Sequence, residues 1–294
     1  MRARERATIV AVSVGAIGCT AATNQRGEAR PDIRACAADT GRTTAGIFYE
    51  CSGQGADVVI LMHAFSVDRR MWAPQLPVLR TRSRVIAYDL RAHGRSTTQS
   101  EPFMATDDLL GLMNELRVDR AHLVGLSNGA RIAIDFAILQ PSRVRSLVLV
   151  SPGVSGWVGS DPMTWMAPVI AAARAGDLER AADLWAETPL MHIPSDSAAA
   201  SLMRALSRDN RAIWGYRTST ERQLNPPAIG RLTEIRAPAL IVSGDRDLAD
   251  LRRLADSLAR GIPNARLHVV RGAGHMLSLS AATEFNDVMS RFLR

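Results

Sequence analysis

The sequence predicts an α/β fold with a mostly parallel sheet, helices on both faces of that sheet and one helical cap insertion. Three observations support this: short apolar runs typical of buried strands, amphipathic stretches between them, and one long segment without such runs. Of the 294 residues, 47% are hydrophobic and 22% are charged, which are ordinary values for a globular chain. This composition excludes a disordered tail, a collagen-like repeat and a small disulfide-dense scaffold.

The strand pattern starts near residue 45. Nearly uninterrupted apolar runs are typical of strands buried on both faces of a parallel sheet. Six occur, at Val58–His63, Arg84–Asp89, Ala121–Gly125, Ser146–Val150, Ala239–Val242 and Arg266–Val270. Amphipathic stretches lie at Thr106–Leu116, at Asn128–Gln140, at Leu251–Ala259 and from Ser280 to the C-terminus. Alternation of this kind predicts an open, mostly parallel sheet with helices on both faces.

The alternation is interrupted between Gly153 and about Ile229, where we expect a helical cap. Helix starts are predicted at Asp161-Pro162, at Asp177 and after Ser195. Four of the five tryptophans lie in this segment: Trp157, Trp165, Trp185 and Trp214. They either fill the cap's own small core or line an apolar ligand pocket. The predicted core is therefore 45–152 with 230–294, and the predicted cap is 153–229.

The first 25 residues are predicted to be an export signal. Three arginines precede an uncharged stretch with its apolar centre at Ile9–Gly18, which is shorter than the ~20 residues of a membrane-spanning helix. Ala16–Cys19 is similar to a bacterial lipobox, in which the cysteine is lipidated. A periplasmic or membrane-anchored lipoprotein attached through Cys19, plain secretion, and a retained anchor or misassigned start are the alternatives. Residues 26–44 are predicted to be an N-terminal extension.

Cysteine usage fits an exported protein. If Cys19 is lipidated or removed, Cys36 and Cys51 remain, an even number that suits an oxidising compartment. We expect either a disulfide that ties the extension to the first strand or two free thiols.

All 36 basic residues are arginine. Without lysine, a pyridoxal Schiff base, a Walker-type phosphate lysine and a lysine general base are excluded. The formal net charge is +7, but the arginines are scattered singly and no basic tract is interleaved with aromatic residues. The sequence therefore predicts no nucleic-acid partner.

The candidate chemistry lies at the ends of predicted strands. Gly125-Leu126-Ser127-Asn128-Gly129 follows a strand and opens a helix, which is the setting of a nucleophile elbow. A serine nucleophile needs a base, and that base needs an orienting group. His275 follows the last strand, and Asp247 follows the strand Ala239–Val242. Asp245 is the rival acid and Asp250 a weaker one.

These motifs, in this order, resemble the α/β-hydrolase superfamily over roughly residues 45–294. His63-Ala64-Phe65 resembles the family's His-Gly-Phe loop, and Asp89–Ser96 its Asp-x-Arg-Gly-His-Gly-x-Ser segment. The resemblance implies an oxyanion hole made by the backbone N–H groups of Phe65 and Asn128. Ala64 and Ala92 replace expected glycines. If Ala64 has a positive φ, as the family's glycine suggests, it is strained, and Ala64→Gly would then raise kcat.

A serine at the elbow disfavours the dehalogenase and epoxide-hydrolase branches, which resemblance implies carry aspartate there. We expect Ser127, His275 and Asp247 to hydrolyse a small-molecule carboxylic ester or lactone, with no cofactor and no metal. Trp157 and Met276 are candidate substrate contacts. Cleavage of carbon–carbon bonds in diketones by the same triad, or a slow or non-catalytic small-ligand receptor, are the alternatives. The sequence leaves the oligomeric state open.

Overall fold

The structure is a computed structural model that describes residues 39–98, 101–193, 197–215 and 220–294. Within these ranges it contains a sheet of eight strands in the order β1-β2-β4-β3-β5-β6-β7-β8. The strands are β1 (Asp39–Arg42), β2 (Phe48–Ser52), β3 (Asp57–Met62), β4 (Ser83–Tyr88), β5 (Ala121–Leu126), β6 (Val144–Val150), β7 (Ala239–Gly244) and β8 (Ala265–Val270). All six predicted strands are present, each within one or two residues of its expected bounds.

Helices connect these strands. They are α1 (Leu76–Leu79), α2 (Ala105–Glu115), α3 (Asn128–Leu139), α4 (Ala167–Arg174), α5 (Leu178–Ala186), α6 (Ala198–Asp209), α7 (Ala249–Gly261), α8 (Leu277–Ser280) and α9 (Ala282–Phe292). The amphipathic stretches of the core correspond to α2, α3, α7 and α9. This is an α/β-hydrolase fold, as the sequence predicted.

Strands β3 to β8 pair in parallel, whereas β1 pairs with β2, and β2 with β4, in antiparallel fashion. The two antiparallel strands are not among the predicted apolar runs. β1 reads Asp-Thr-Gly-Arg, and β2 places Glu50 and Ser52 among its apolar residues. β1 is the edge strand and β2, next to it, is only partly buried. Antiparallel strands that are not buried on both faces do not need the continuous apolar sequence that identifies buried parallel strands.

Alternate residues of each strand enter two separate apolar clusters. Ile60, Leu123 and Ile241 pack with α2, α3 and α7 on one face. Leu61, Val124 and Val242 pack on the opposite face with α9 and with helices of the cap. Because successive side chains of a strand point to opposite faces, the uninterrupted apolar runs supply both layers at once.

The described elements between β6 and β7 are all helical, as expected for the cap. Asp177 caps α5 by accepting a hydrogen bond from the Arg180 N–H at 3.0 Å. The helix start at Asp161-Pro162 is wrong, because α4 begins at Ala167. The N–H of Asp161 instead donates to the Asp250 carboxylate at 2.6 Å, which ties this segment to the first turn of α7.

The predicted export signal, Cys19 and Cys36 lie outside the described residues. Cys51, buried in β2, is disulfide-bonded, and its partner lies outside the described ranges, so the pairing with Cys36 stays a prediction. Of the helices in the described part of the chain, none combines the length and apolar character that crossing a membrane requires.

Candidate active site

The three residues singled out for catalysis lie after parallel strands. Ser127 follows β5, Asp247 follows β7 and His275 follows β8. The carboxyl ends of parallel strands meet at one edge of a sheet, which is where open α/β sheets place their ligand sites. The topology therefore brings all three residues to the same edge.

The turn at Ser127 has the tight geometry of an elbow. Ser127 has φ of 53° and ψ of −107°, a sparsely populated conformation for a residue with a side chain. A Cβ at Gly125 would lie 2.4 Å from the Gly129 carbonyl carbon, and a Cβ at Gly129 would lie 2.2 Å from the Met62 carbonyl oxygen. Both glycines are therefore required by close backbone approach.

Backbone hydrogen bonds hold this strained turn in place. The Ser127 N–H donates to the Val150 carbonyl at 3.0 Å, and the Ser127 carbonyl accepts from Gly153 N–H at 3.1 Å and from Arg131 N–H at 3.0 Å. The end of β6 and the first turn of α3 thus fix the serine on both sides. Strain of this kind persists only where the surroundings over-determine the backbone.

Asp247 and His275 form a buried hydrogen-bonded pair. Nδ1 of His275 lies 3.0 Å from one carboxylate oxygen of Asp247 and 3.2 Å from the other. The His275 side chain is 1% exposed and the Asp247 side chain is 0% exposed. Nε2 of His275 is also buried and has no hydrogen-bond partner among the described residues. The structure shows no hydrogen bond between Ser127 and His275. Catalytic hydrogen bonds of this kind are often long before substrate binds, so this geometry does not exclude the pair.

The rival acid Asp245 does not contact His275 and instead joins two loops. It is exposed, and its carboxylate accepts a hydrogen bond from the Gly272 N–H at 2.6 Å. Asp245 therefore joins the loop after β7 to the loop after β8 but does not contact the imidazole. The weaker candidate, Asp250, accepts hydrogen bonds from Ser160 and from Asp161 at the entrance of the cap.

Burial by itself would raise the pKa of the Asp247 carboxyl. The charge and the hydrogen bond of His275 oppose this effect, and so does a hydrogen bond from the Leu248 N–H, so the pKa lies below its usual range. Asp247 is therefore a carboxylate at neutral pH. A buried carboxylate on Nδ1 fixes the tautomer that leaves Nε2 free to accept a proton, and it stabilises the imidazolium that follows.

The two expected oxyanion donors are free to bind a ligand. Within the described ranges, neither the Phe65 N–H nor the Asn128 N–H donates a hydrogen bond to another protein atom. Asn128 is the first residue of α3, where the helix dipole places partial positive charge. Unpaired N–H groups beside a nucleophile are what a developing oxyanion needs.

Two buried histidines support the loop that carries Phe65. His63 Nε2 accepts from the Leu90 N–H at 2.8 Å, so its Nδ1 holds the proton and donates to the Ala64 carbonyl at 2.7 Å. His93 Nε2 accepts from the Ser66 N–H at 3.2 Å. Burial lowers the pKa of His63 to about 4 and that of His93 to about 3, with His63 adding to the second effect. Both rings are neutral at pH 7, as these hydrogen bonds require.

The prediction that Ala64 has a strained backbone with positive φ is wrong. The non-glycine residues of this region with positive φ are Ser66, at 61°, and Ala92, at 66°, and Ala64 is not one of them. The glycine replaced at position 92 is therefore the one whose loss costs conformational energy. The premise for a faster Ala64→Gly variant is removed.

Aromatic side chains of the cap lie against the oxyanion loop. The Phe65 ring meets Trp214 edge-to-face at 5.4 Å and Trp185 at 6.0 Å, and Trp185 contacts Trp165 at 6.3 Å. All three indole N–H groups are buried without a hydrogen-bond partner in the described part of the chain. The ring faces offer an apolar surface next to the oxyanion donors, and the unpaired indole N–H groups can donate to a polar atom of a ligand.

The two candidate substrate contacts are not part of this aromatic group, and their role stays a prediction. Trp157 packs against the apolar cluster on the α3 and α7 face and makes no ring contact with the aromatic residues around Phe65. Met276 is 1% exposed and lines a cavity that neither Ser127 nor His275 lines. The aromatic residues beside the oxyanion loop are Trp165, Trp185 and Trp214, which the sequence placed either in the cap's own core or along an apolar ligand pocket.

Sequence reasoning missed the contact that docks the cap. At the end of α6, the Asn210 amide donates to Asp68 at 2.9 Å, and its oxygen accepts from the Gly94 N–H at 2.7 Å. Asp68 and Gly94 lie on the two loops that carry His63 and His93. The sequence signal available was a lone Asn at a helix end, which is also typical of a simple C-cap. Among the described residues, no three His, Cys, Asp or Glu side chains converge as metal ligands would.

A family model for the alpha/beta hydrolase fold matches residues 57–282. The chain therefore belongs to the α/β-hydrolase family. It is 30% identical over 264 residues to "Putative carbamate hydrolase RutD" of Caulobacter sp. (strain K31), covering 85% of this chain and 97% of that one.

A second relative is the 2-hydroxy-6-oxononadienedioate/2-hydroxy-6-oxononatrienedioate hydrolase 2 of Pseudomonas putida. It is 29% identical over 270 residues, which cover 84% of this chain and 91% of the relative. The crystal structure of the enol-lactonase from Burkholderia xenovorans LB400 superposes with a TM-score of 0.71 at 24% identity, over 87% of this chain and 99% of that one. These sequence relatives are hydrolases, which supports a general hydrolase activity for this chain.

Proposed function

We propose that this protein hydrolyses small carboxylic esters or lactones through an acyl-enzyme on Ser127. The Ser127 hydroxyl attacks the substrate carbonyl, and His275 Nε2 accepts its proton. The N–H groups of Phe65 and Asn128 bind the tetrahedral oxyanion, and each such donor is worth ~3 kcal/mol of transition-state stabilisation. His275 returns the proton to the leaving alcohol, then activates a water that releases the acid and restores Ser127.

One observation carries this proposal: the Asp247–His275 pair is fully buried, hydrogen-bonded through Nδ1 at 3.0 Å, and leaves Nε2 without a partner among the described residues. A buried nitrogen acceptor left unpaired costs free energy unless something uses it. At the same sheet edge, Ser127 is half-buried and is held in a strained turn. A structural role explains neither feature.

Cleavage of carbon–carbon bonds remains the second candidate. The Pseudomonas putida relative is named for its substrate, a 2-hydroxy-6-oxononadienedioate. The same three catalytic residues can also be used to cleave a carbon–carbon bond. A non-catalytic receptor would share the pocket but not the turnover.

A substrate panel with serine variants tests the proposal. Native protein, Ser127→Ala and the control Ser257→Ala on α7 are assayed with p-nitrophenyl esters of increasing chain length, lactones and a 2-hydroxy-6-oxo-dienoate. We expect multiple turnovers with esters or lactones in native protein and control, and a loss on the order of 10⁴ in kcat for Ser127→Ala. Preference for the dienoate would favour the carbon–carbon candidate. At most one stoichiometric acylation in the native protein would favour a receptor.

A further inference from the structure

A cavity of about 400 Å³ lies beside the histidine loop, separate from the candidate catalytic residues. Met276 and Leu279 line it from the core, Ile193 lines it from the cap, and Arg246 and Arg271 line it from the loops after β7 and β8. Ser127, Asp247 and His275 do not line it. Its volume falls in the range of small-molecule sites.

The charge of this cavity is one-sided. Arg246 and Arg271 are exposed, and neither guanidinium makes an ion pair or side-chain hydrogen bond with any residue the structure describes. None of the described residues that line the cavity carries a carboxylate. Two acids flank Arg246 in the sequence. Asp247 is buried against His275, and Asp245 accepts a hydrogen bond from the Gly272 N–H. Two unpaired guanidiniums are suited to bidentate recognition of a carboxylate.

The backbone adds further donors on the same side. Ala273 and Gly274 line the cavity, and their N–H groups have no acceptor among the described protein atoms. A Cβ built at Gly274 meets nothing within 4 Å, so the backbone there is open to a ligand. Arginine side chains and free backbone N–H groups thus line one cavity, and the described part of its lining contains no matching anion.

The cavity lining is mixed, and part of it is apolar. Ile193, Met276 and Leu279 contribute apolar atoms, although each is largely buried, and His192, Ser197 and Ser280 contribute polar groups. The cavity therefore combines cationic side chains with some apolar surface. A wholly polar anion would leave that apolar surface without a partner, whereas an anionic head with an apolar body contacts both parts.

We propose that this cavity binds a carboxylate with an apolar body, such as a medium-chain or aryl carboxylic acid. The carboxylate lies between Arg246 and Arg271, and the apolar body packs on Ile193, Met276 and Leu279. Arg246 precedes Asp247 and Met276 follows His275, so the occupant contacts the loops that carry both. This ligand class includes the acid released by the proposed hydrolysis. Only that connection rests on the proposed function, and the binding itself does not.

Calorimetric titration of the full chain with sodium octanoate tests this proposal. The variant is Arg246→Gln/Arg271→Gln, and the control is Arg266→Gln/Arg291→Gln, which removes the same charge from a different surface cavity. We expect octanoate to bind the native protein and the control with equal affinity. The variant should bind it roughly tenfold more weakly for each arginine removed, and 1-octanol should bind native protein more weakly than octanoate does.

Three outcomes would overturn the inference: no octanoate binding by native protein, equal octanoate affinity in the Arg246→Gln/Arg271→Gln variant, or octanol binding as tight as octanoate. If octanoate bound only in the candidate active site, the Arg246→Gln/Arg271→Gln variant would bind it with the affinity of native protein, which is the second outcome. Ester turnover is measured separately on the same samples. Turnover without arginine-dependent binding rejects this inference alone, and arginine-dependent binding without turnover rejects the proposed function alone.

Discussion

At the scale of single residues, the choice between Asp247 and Asp245 decides the mechanism. Both follow β7, and sequence spacing alone leaves them as rivals. The structure gives Asp247 a buried contact with His275 Nδ1, and gives Asp245 an exposed contact with the Gly272 N–H. One carboxylate therefore orients an imidazole and the other joins two loops.

The matched pair Asp247→Asn and Asp245→Asn separates these roles. Asp247→Asn keeps the side-chain shape but favours the wrong imidazole tautomer, so kcat should drop by up to ~10⁴ with little change in fold. Asp245→Asn should keep most of kcat and lower the melting temperature slightly. Steady-state kinetics and circular dichroism measure both. A larger loss of kcat in Asp245→Asn would reverse the assignment.

The pair Ala92→Gly and Ala64→Gly tests where the backbone is strained. At position 92, glycine removes the strain of a left-handed alanine, which costs ~1 kcal/mol. This gain offsets the destabilisation that glycine causes by giving the unfolded chain more freedom. At Ala64, which is 2% exposed, glycine removes a buried methyl worth ~0.8 kcal/mol and adds unfolded-state freedom. Urea unfolding should leave Ala92→Gly near native stability and destabilise Ala64→Gly. Equal losses would contradict strain at Ala92.

At the scale of elements, the loops after β7 and β8 are built as one unit. A Cβ at Gly244, the last residue of β7, would lie 2.1 Å from the Ala273 carbonyl oxygen. That same carbonyl accepts from the Arg246 N–H at 3.0 Å. The contact sets the separation of Asp247 and His275.

Gly244→Ala should therefore push these loops apart, lowering both kcat and the melting temperature. Gly274→Ala is its control on the histidine loop, because a Cβ there meets nothing within 4 Å and its φ is not positive. Activity and thermal unfolding of the two variants measure the effect. Native-like activity in Gly244→Ala would show that the loops can separate without cost.

The parallel strands, the elbow and the order of the site residues could be predicted because each leaves a local signal: an apolar run, a glycine spacing, or a loop after a strand. Other features left none. The helix start at Asp161 was wrong because Met163 has left-handed backbone angles, φ 46° and ψ 42°, which a right-handed helix cannot include. For the cap tryptophans, the sequence left two alternatives open, the cap's own core or a ligand pocket, because composition does not say which side chains meet Phe65.

At the scale of the whole molecule, buried neutral histidines make stability depend on pH. Burial lowers the pKa of His63 and His122 to about 4 and that of His93 to about 3. The unfolded chain binds protons at these positions from about pH 6.5 downward, whereas the folded chain does not. Their contribution is fully present above pH 6.5 and is lost as pH falls toward 4.

Each such histidine should remove about 1.4 kcal/mol of unfolding free energy per pH unit in this window. Urea unfolding from pH 7 to pH 5 measures the slope for native protein, His93→Gln and the control His268→Gln, whose ring is exposed beside Glu284. Burial raises the carboxyl pKa of Asp108 and Asp135, so these two groups change stability with pH in the opposite direction. Subtracting the slope of each variant from that of native protein removes their contribution. His93→Gln should have the smaller slope. A slope equal to that of native protein would contradict a neutral His93.

Covalent labelling of the nucleophile tests the central claim most directly. Native protein is treated with a fluorophosphonate ester, and the adduct is measured by intact mass and located by peptide mapping. The mechanism predicts one adduct per chain, on Ser127, forming much more slowly in Asp247→Asn and not at all in Ser127→Ala. An adduct on another residue, or an undiminished adduct in Ser127→Ala, would contradict it.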